Sequence, residues 1–338
     1  MGEMAMILRG TDFGPIWGAS GATNFDGRGW RQHKFFRVIS PQGFNLEGLT
    51  ETGKTMTLLP RDGKSPGQGN MPLDDDLQPS EMKPKCIRVF PLLCVCVNAV
   101  GLTGWGAVRT LELVTLHEKT KPHVLSFMSL AASPEERIAE FKQFKAELKK
   151  RLHKFKGKIA LTINISCPNT NHSPKDIEKD WRPMLNEAQD LDIPVGIKFG
   201  PEITGQTIFD VDQSGLADYV VVSNTLKVGN EVEGFSWRWA FGLRSFVYSL
   251  LGKMYSPLKK FGGGGYSGPK LRPINIRTIE EARALGAKIP IMACGGISKP
   301  RHLVEYVEAG ANGAKVGTAL ILRFWKMASL IKTAHEIF

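Results

Sequence analysis

Apolar runs and amphipathic stretches alternate along the C-terminal two thirds of the chain. Between residues 134 and 155, Ile138, Phe141, Phe144, Leu148, Leu152 and Phe155 recur at helical spacing with lysines between them, which predicts an outer amphipathic helix. An apolar strand at 158–166 follows, then a polar segment at 176–190 and the strand IPVGIKFG at 193–200. A further helical stretch leads to the strand ADYVVVSN at 217–224. After a long irregular segment, a helix predicted at 276–287 feeds a strand at 289–297, and a helix at 300–311 feeds GAKVGTAL at 313–320. Strands alternating with helices predict a parallel sheet, and near-continuous apolar strands predict burial on both faces.

Polar or glycine-rich residues close these strands: Asn164, Cys167, Lys198, Asn224, Gly295, Gly296, Gly317 and Thr318. In a closed (β/α)8 TIM barrel all such ends share one rim, where barrel active sites are built. A doubly wound sheet would also gather them, along one edge. The first 130 residues are less regular and are expected to hold the early strands and long loops of a single α/β barrel domain spanning 1–338. Residues 227–262 stand apart as an apolar, basic insertion between two barrel strands, carrying Trp237, Trp239, Phe241, Phe246, Tyr248 and Leu251 among Arg and Lys. This pattern fits a lid, a partner surface, a membrane-surface helix or a locally packed excursion.

The bulk numbers narrow the class only a little. A length of 338 residues with 42% hydrophobic content suits one barrel with insertions or two smaller domains. A net charge of +11 fits nucleic acid, an anionic membrane, an acidic small molecule or a solvated basic surface, and the helix before residue 158 accounts for much of it. The apolar run Val89 to Leu102 contains Pro91 and Asn98 and is shorter than the roughly 20 residues that span a bilayer, so it reads as buried strand and loop. The start MGEMAMILRG lacks the apolar core of a secretory signal, which predicts a cytoplasmic protein. Cysteines 86, 94, 96, 167 and 294 form no CxxC pair and no zinc spacing, so free thiols and no metal site are expected.

The run NISCPNT, residues 164–170, closes the apolar segment Ile159 to Ile165 with a cysteine between two amides. Amides at a strand end can grip a polar planar ring while a thiol handles a proton. Pro168 restrains the turn and disfavours a helical backbone at Cys167. Taken alone, Cys167 also fits a small buried core residue. Three glycine-rich segments lie late in the chain: GGGGYSG (262–268), ACGGI (293–297) and KVGTAL (315–320). Glycine lets backbone N–H groups approach an anion, and two consecutive strands ending in Gly-Gly and Gly-Thr resemble a barrel phosphate cup.

With these motifs in hand, the chain resembles the dihydroorotate dehydrogenase family from about Gly18 to Leu322. The resemblance implies FMN-dependent oxidation of (S)-dihydroorotate to orotate in pyrimidine biosynthesis. Cys167 would take the C5 proton, as in the soluble class, and a hydride would pass from C6 to flavin N5. It assigns the substrate ring to Asn98, Asn164, Asn169 and Asn224, with Gly101, Leu102, Thr225 and Lys54 beside it. For FMN it assigns Ala19, Ser20, Gly21, Lys54, Asn164 and Lys198, and for its phosphate Gly265, Ser267, Gly268, Gly295, Gly296, Gly317 and Thr318. The insertion at 227–262 and the enlarged loop between Lys54 and Asn98 depart from the pattern, and the membrane helices of the other class are missing. The electron acceptor therefore stays open among fumarate, NAD through a separate subunit, and quinone. The insertion is expected to bear on that acceptor side. A homodimer fits the resemblance, and no nucleic-acid partner is expected. Rival readings are a tRNA dihydrouridine synthase, a reductase similar to dihydropyrimidine dehydrogenase, and a non-catalytic flavin-binding barrel. Asn169 after Cys-Pro favours the orotate pattern.

Overall fold

The fold was obtained as a computed structural model and describes residues 6–166 and 181–338. Among these, β1 (Ile7–Leu8), β2 (Thr11–Asp12), β3 (Ile16–Gly18), β4 (Ile87–Phe90) and β5 (Val95–Asn98) come from the first hundred residues. Then follow β6 (His123–Phe127), β7 (Ile159–Asn164), β8 (Val195–Lys198), β9 (Tyr219–Val222), β10 (Leu226–Lys227), β11 (Gly265–Ser267), β12 (Ile291–Cys294) and β13 (Gly313–Val316).

Seven of them form one parallel sheet in the order β3-β13-β12-β9-β8-β7-β6, curled so that β3 and β6 face each other. Residues 50–56 fill the gap between those two edges. Trp17 bridges Thr50 on one side, and Thr52 and Met56 bridge Val124 and Phe127 on the other, all in parallel sense. Thr50 N–H donates to Ile16 O (3.0 Å), Gly53 N–H to Val124 O (2.9 Å) and Met56 N–H to Ser126 O (2.8 Å). This eighth stave closes a (β/α)8 barrel, the architecture expected from the sequence. Between its two bridges to β6 the stave carries one more residue than its neighbour, a bulge that breaks the two-residue period.

Side-chain alternation then sorts the strands. Leu125, Phe127, Leu161, Ile163, Val195, Ile197, Val220 and Ile291 point outward into the layer shared with the helices. Trp17, Val124, Ala160, Tyr219, Val221 and Met292 point inward, and Met6, Leu8 and Phe13 from the β1–β2 segment join them. The inner layer is too crowded for a side chain at Gly196, whose added Cβ would lie 2.4 Å from the Tyr219 ring.

The helix Pro134–Lys149 shows how the outer layer is built. Ser133 caps it by accepting from Glu136 N–H (3.2 Å), Glu136 accepts from Ser133 N–H (3.1 Å), and Pro134 occupies the first turn. Phe141, Phe144 and Leu148 are buried, with Phe144 stacked on Phe127 at 3.9 Å between ring centroids. Each such ring contributes about 1.5–3 kcal/mol by leaving water. The helix expected at 276–287 begins earlier, at Leu271, because Pro273 falls in its first turn, where a missing N–H costs nothing. GAKVGTAL is a strand only to Val316; at Thr318 the chain turns into the helix Thr318–Leu322.

Above the barrel lies a second sheet, antiparallel, in the order β10-β11-β5-β4. The run Val89 to Leu102, read as buried strand and loop, holds the end of β4, the hairpin turn, the buried strand β5 and the loop after it. The insertion packs on this sheet: Ala240, Phe241 and Leu258 share a core with Val95, Val97 and Tyr266. No helix of the described residues is long and apolar enough to cross a membrane.

Candidate active site

At the C-terminal ends of the strands the inward positions change from apolar to polar. Asn164 on β7 and Lys198 on β8 are buried neighbours in register. Ser126 on β6 shares a hydrogen bond with Thr55 of the closing stave (2.9 Å). Asn164 Nδ2 donates to Thr55 Oγ1 (3.4 Å), and its Oδ1 accepts from the Ser166 N–H and hydroxyl, both at 3.2 Å. Asn224, just past β9, donates to Asn164 Oδ1 (3.3 Å) and to Ser166 O (2.9 Å), while its own Oδ1 accepts from Thr225 N–H (2.9 Å). Ser166 in turn donates to Lys198 O (3.1 Å). Asn164, Asn224, Thr225 and Lys198 are therefore brought together, joined by a serine that the sequence reading did not single out.

The closing stave supplies Lys54 beside this cluster. Its bulge aims the side chain at the rim, where the ammonium donates to Thr103 O and lies 4.8 Å from the Phe25 ring centroid. The turn Ala19–Gly21 packs against it: a Cβ on Gly21, whose φ is +77°, would meet Lys54 Cγ at 3.1 Å. Asn98 sits at the end of β5 opposite Gly265. Gly101 and Leu102 follow with φ of +71° and +59°. The enlarged loop holds this stretch from outside, with Arg61 donating to Gly101 O (3.0 Å) and Asn70 N–H to Val100 O (2.9 Å). A cavity of about 320 Å³ is lined by Arg61, Asp62, Thr103 and Trp105, and its Thr103 carbonyl accepts from the Lys54 ammonium.

The glycine segments also converge. A Cβ on Gly296 would lie 3.1 Å from Gly268 O, and one on Gly317 would lie 3.1 Å from Ala19 Cβ. Ser267 and Gly265 belong to β11, and Thr318 opens the helix after Gly317. Behind Gly295 a buried network fixes the turn: Ser223 donates to Asn275, Asn275 to Cys294 O (2.9 Å), and Tyr306 to Gly295 O (2.8 Å).

The hydroxyl of Ser20 and the ammonium of Lys315 are buried with no hydrogen bond among the described residues. Lys315 lies on β13 between Trp17 and Cys294, with its Nζ 4.9 Å from the Trp17 ring. Burial first, and then the nearby Lys198 charge, push its pKa down to about 7. Sequence reading missed it, although a lysine inside the apolar strand GAKV was a visible signal. Cys167 and Asn169 lie outside the described residues. Of the other cysteines, Cys86 and Cys96 are buried, and desolvation pushes their thiols up to about 11 and 12.

The family model described as dihydroorotate dehydrogenase matches residues 75–240 and 247–336. The chain is 29% identical over 233 residues to the catalytic subunit of dihydroorotate dehydrogenase B (NAD(+)) of Anoxybacillus flavithermus, covering 66% of this chain and 64% of that protein. It is 28% identical over 231 residues to dihydroorotate dehydrogenase A (fumarate) of Lactobacillus helveticus, covering 66% of each. The chain spans 64% of the length of that Anoxybacillus flavithermus protein and 65% of the corresponding catalytic subunit of Staphylococcus carnosus, just under two thirds of each. Among solved structures, the DHODH of Eimeria tenella in complex with ferulenol shares the fold, with a TM-score of 0.63, 16% identity and coverage of 99% of this chain and 87% of that one.

Proposed function

The chain belongs to the dihydroorotate dehydrogenase family, and from that premise we propose that it oxidises dihydroorotate to orotate on a bound FMN, in pyrimidine biosynthesis. The observation that carries this reading is the buried cluster of Asn164, Asn224 and Lys198 on the barrel rim, with NISCPNT continuing directly from Asn164. Two amides and a cation converging there can hold a ring that bears imide groups and a carboxylate.

The residues present fit FMN. Ser20 and Lys315 are buried polar groups awaiting a partner, and Gly21, Gly268, Gly296 and Gly317 leave a cradle that side chains would fill. In this reading the turn Ala19–Gly21 and Lys198 border the ring system. Gly265, Ser267, Gly268, Gly295, Gly296, Gly317 and Thr318 surround the phosphate. When bound, FMN supplies the acceptor for the hydride. Cys167 removes the C5 proton of dihydroorotate, and Asn98, Asn164, Asn169 and Asn224 orient the ring and stabilise the charge that develops on it. Thr225 fixes Asn224 by donating its N–H to the amide oxygen. Lys54, Gly101 and Leu102 border the substrate.

Purified protein loaded with FMN and mixed anaerobically with dihydroorotate should lose its yellow absorbance, whereas dihydrouracil should leave it unchanged. Cys167→Ala should retain FMN and slow that bleaching by about a hundredfold or more, the range for loss of a general base. Bleaching at the wild-type rate in the variant would show that the thiol is not the base. Failure to take up FMN at all would remove the reading.

A further inference from the structure

The insertion helix Leu243–Leu250 is inverted. At about 100° per residue, Leu250, Leu243, Val247 and Leu251 fall within an arc of roughly 100°. That arc faces solvent: Leu243 is 68% exposed, Leu250 63% and Leu251 64%. The side turned to the protein carries Ser245 and Ser249, whose hydroxyls donate to the backbone oxygens of Gly242 and Phe246. Folding therefore buried Ser245, half-buried Ser249 and left the leucines out, the reverse of what water selects. The apolar patch continues beyond the helix. Leu93 lies beside Gly242, and Leu92, at the tip of the β4–β5 hairpin, is 97% exposed. Trp239 and Met254 are also exposed.

Charge identifies the occupant. From Phe235 to Ile279 the chain has no Asp or Glu, yet it carries Arg238, Arg244, Lys253, Lys259, Lys260 and Lys270. The first five are exposed, with Arg238 over the ring of Phe246 and Arg244 within the helix itself, as is Arg88 on the adjoining hairpin, a segment that is also free of acidic residues from Met82 to Leu111. We propose that this face docks on the surface of an anionic lipid bilayer, with the leucine stripe and Leu92 entering the acyl boundary, Trp239 and Tyr248 at headgroup level, and the arginines and lysines on the phosphates. Aliphatic residues flanked by basic and interfacial aromatic ones are what such a surface binds. A second copy of the chain fits badly, because a two-fold contact through this face would press the basic residues against themselves. The inference stands apart from the reaction proposed above, since it uses none of the residues assigned to it.

The test is cosedimentation of the whole protein with phosphatidylcholine vesicles, with and without phosphatidylglycerol. Binding is expected only to the anionic vesicles, with a blue shift of tryptophan emission. The variant Leu243→Ser/Leu250→Ser/Leu251→Ser should bind at least about tenfold more weakly, and Arg244→Gln and Lys253→Gln about fivefold each. All these side chains are exposed, so circular dichroism melts should match wild type. Protein that stays in the supernatant with anionic vesicles at low salt would overturn the proposal, as would a triple-serine variant that binds like wild type. A dimer in sedimentation velocity that the triple variant dissolves would assign the face to self-association instead.

Discussion

Lys315 shows how one side chain can set the pH response of a barrel interior. Its ammonium has no hydrogen-bonding partner among the described residues, and its pKa falls from 10.5 to about 7. Below pH 7 both the folded and unfolded chains hold this proton, and the full cost of burying the charge is present. Between about pH 7 and 10.5 the unfolded chain still binds the proton while the folded one does not, so this residue's effect on stability becomes less unfavourable as pH rises. Lys315→Met should therefore be more stable than wild type at pH 6, by a few kcal/mol, and the gap should close by about pH 10. Paired urea titrations of the FMN-free proteins check this. The comparison with the variant matters because buried Tyr219 and Cys96 have raised pKa values and pull the other way in alkali. A pH-independent gap would mean that Lys315 is charged throughout.

Among the elements, the paired interior positions Gly196 and Tyr219 define how tightly β8 and β9 meet. The Tyr219 hydroxyl is held by Thr162 Oγ1 (2.7 Å) and Leu161 O (3.1 Å), so its ring cannot yield to a new methyl group. Gly196→Ala should lower the unfolding free energy measured by urea titration by about 3 kcal/mol, and Gly196→Ala with Tyr219→Leu should cost less than the sum of the two single changes. Strands such as β7 and β9 were legible in the sequence because both of their faces are buried and read as apolar runs. The closing stave was not, since Thr50, Thr52, Gly53 and Lys54 are polar or small and the bulge spoils the period. Val89 to Leu102 reads as buried strand and loop and holds the buried strand β5, but its apolar character did not show that the strand belongs to an antiparallel hairpin whose tip meets solvent at Leu92. At the site, Asn164, Asn224 and Lys198 were legible as strand-end polar residues, whereas Ser166 and Thr55 act through partners distant in sequence, and Lys315, a lysine inside the apolar run GAKV, was passed over.

The whole molecule is a ring whose eight staves are unequally fastened. Seven pair along continuous ladders, while residues 50–56 are held by isolated bridges to β3 and β6. That loosely fastened stave carries Lys54 and Thr55 to the rim. Opening the ring at this seam would therefore dismantle the proposed binding site first, and a ligand gripping Lys54 would act as a clasp on the seam. Exchange of the Gly53 and Met56 amides, which bond across it, should slow by about a hundredfold with orotate at a hundred times its Kd, while the Leu161 amide inside the β7–β8 ladder keeps its rate. Amide exchange followed by mass spectrometry reads both. The molecule would then report occupancy through its hoop closure, so that a filled site and a sealed barrel are one equilibrium.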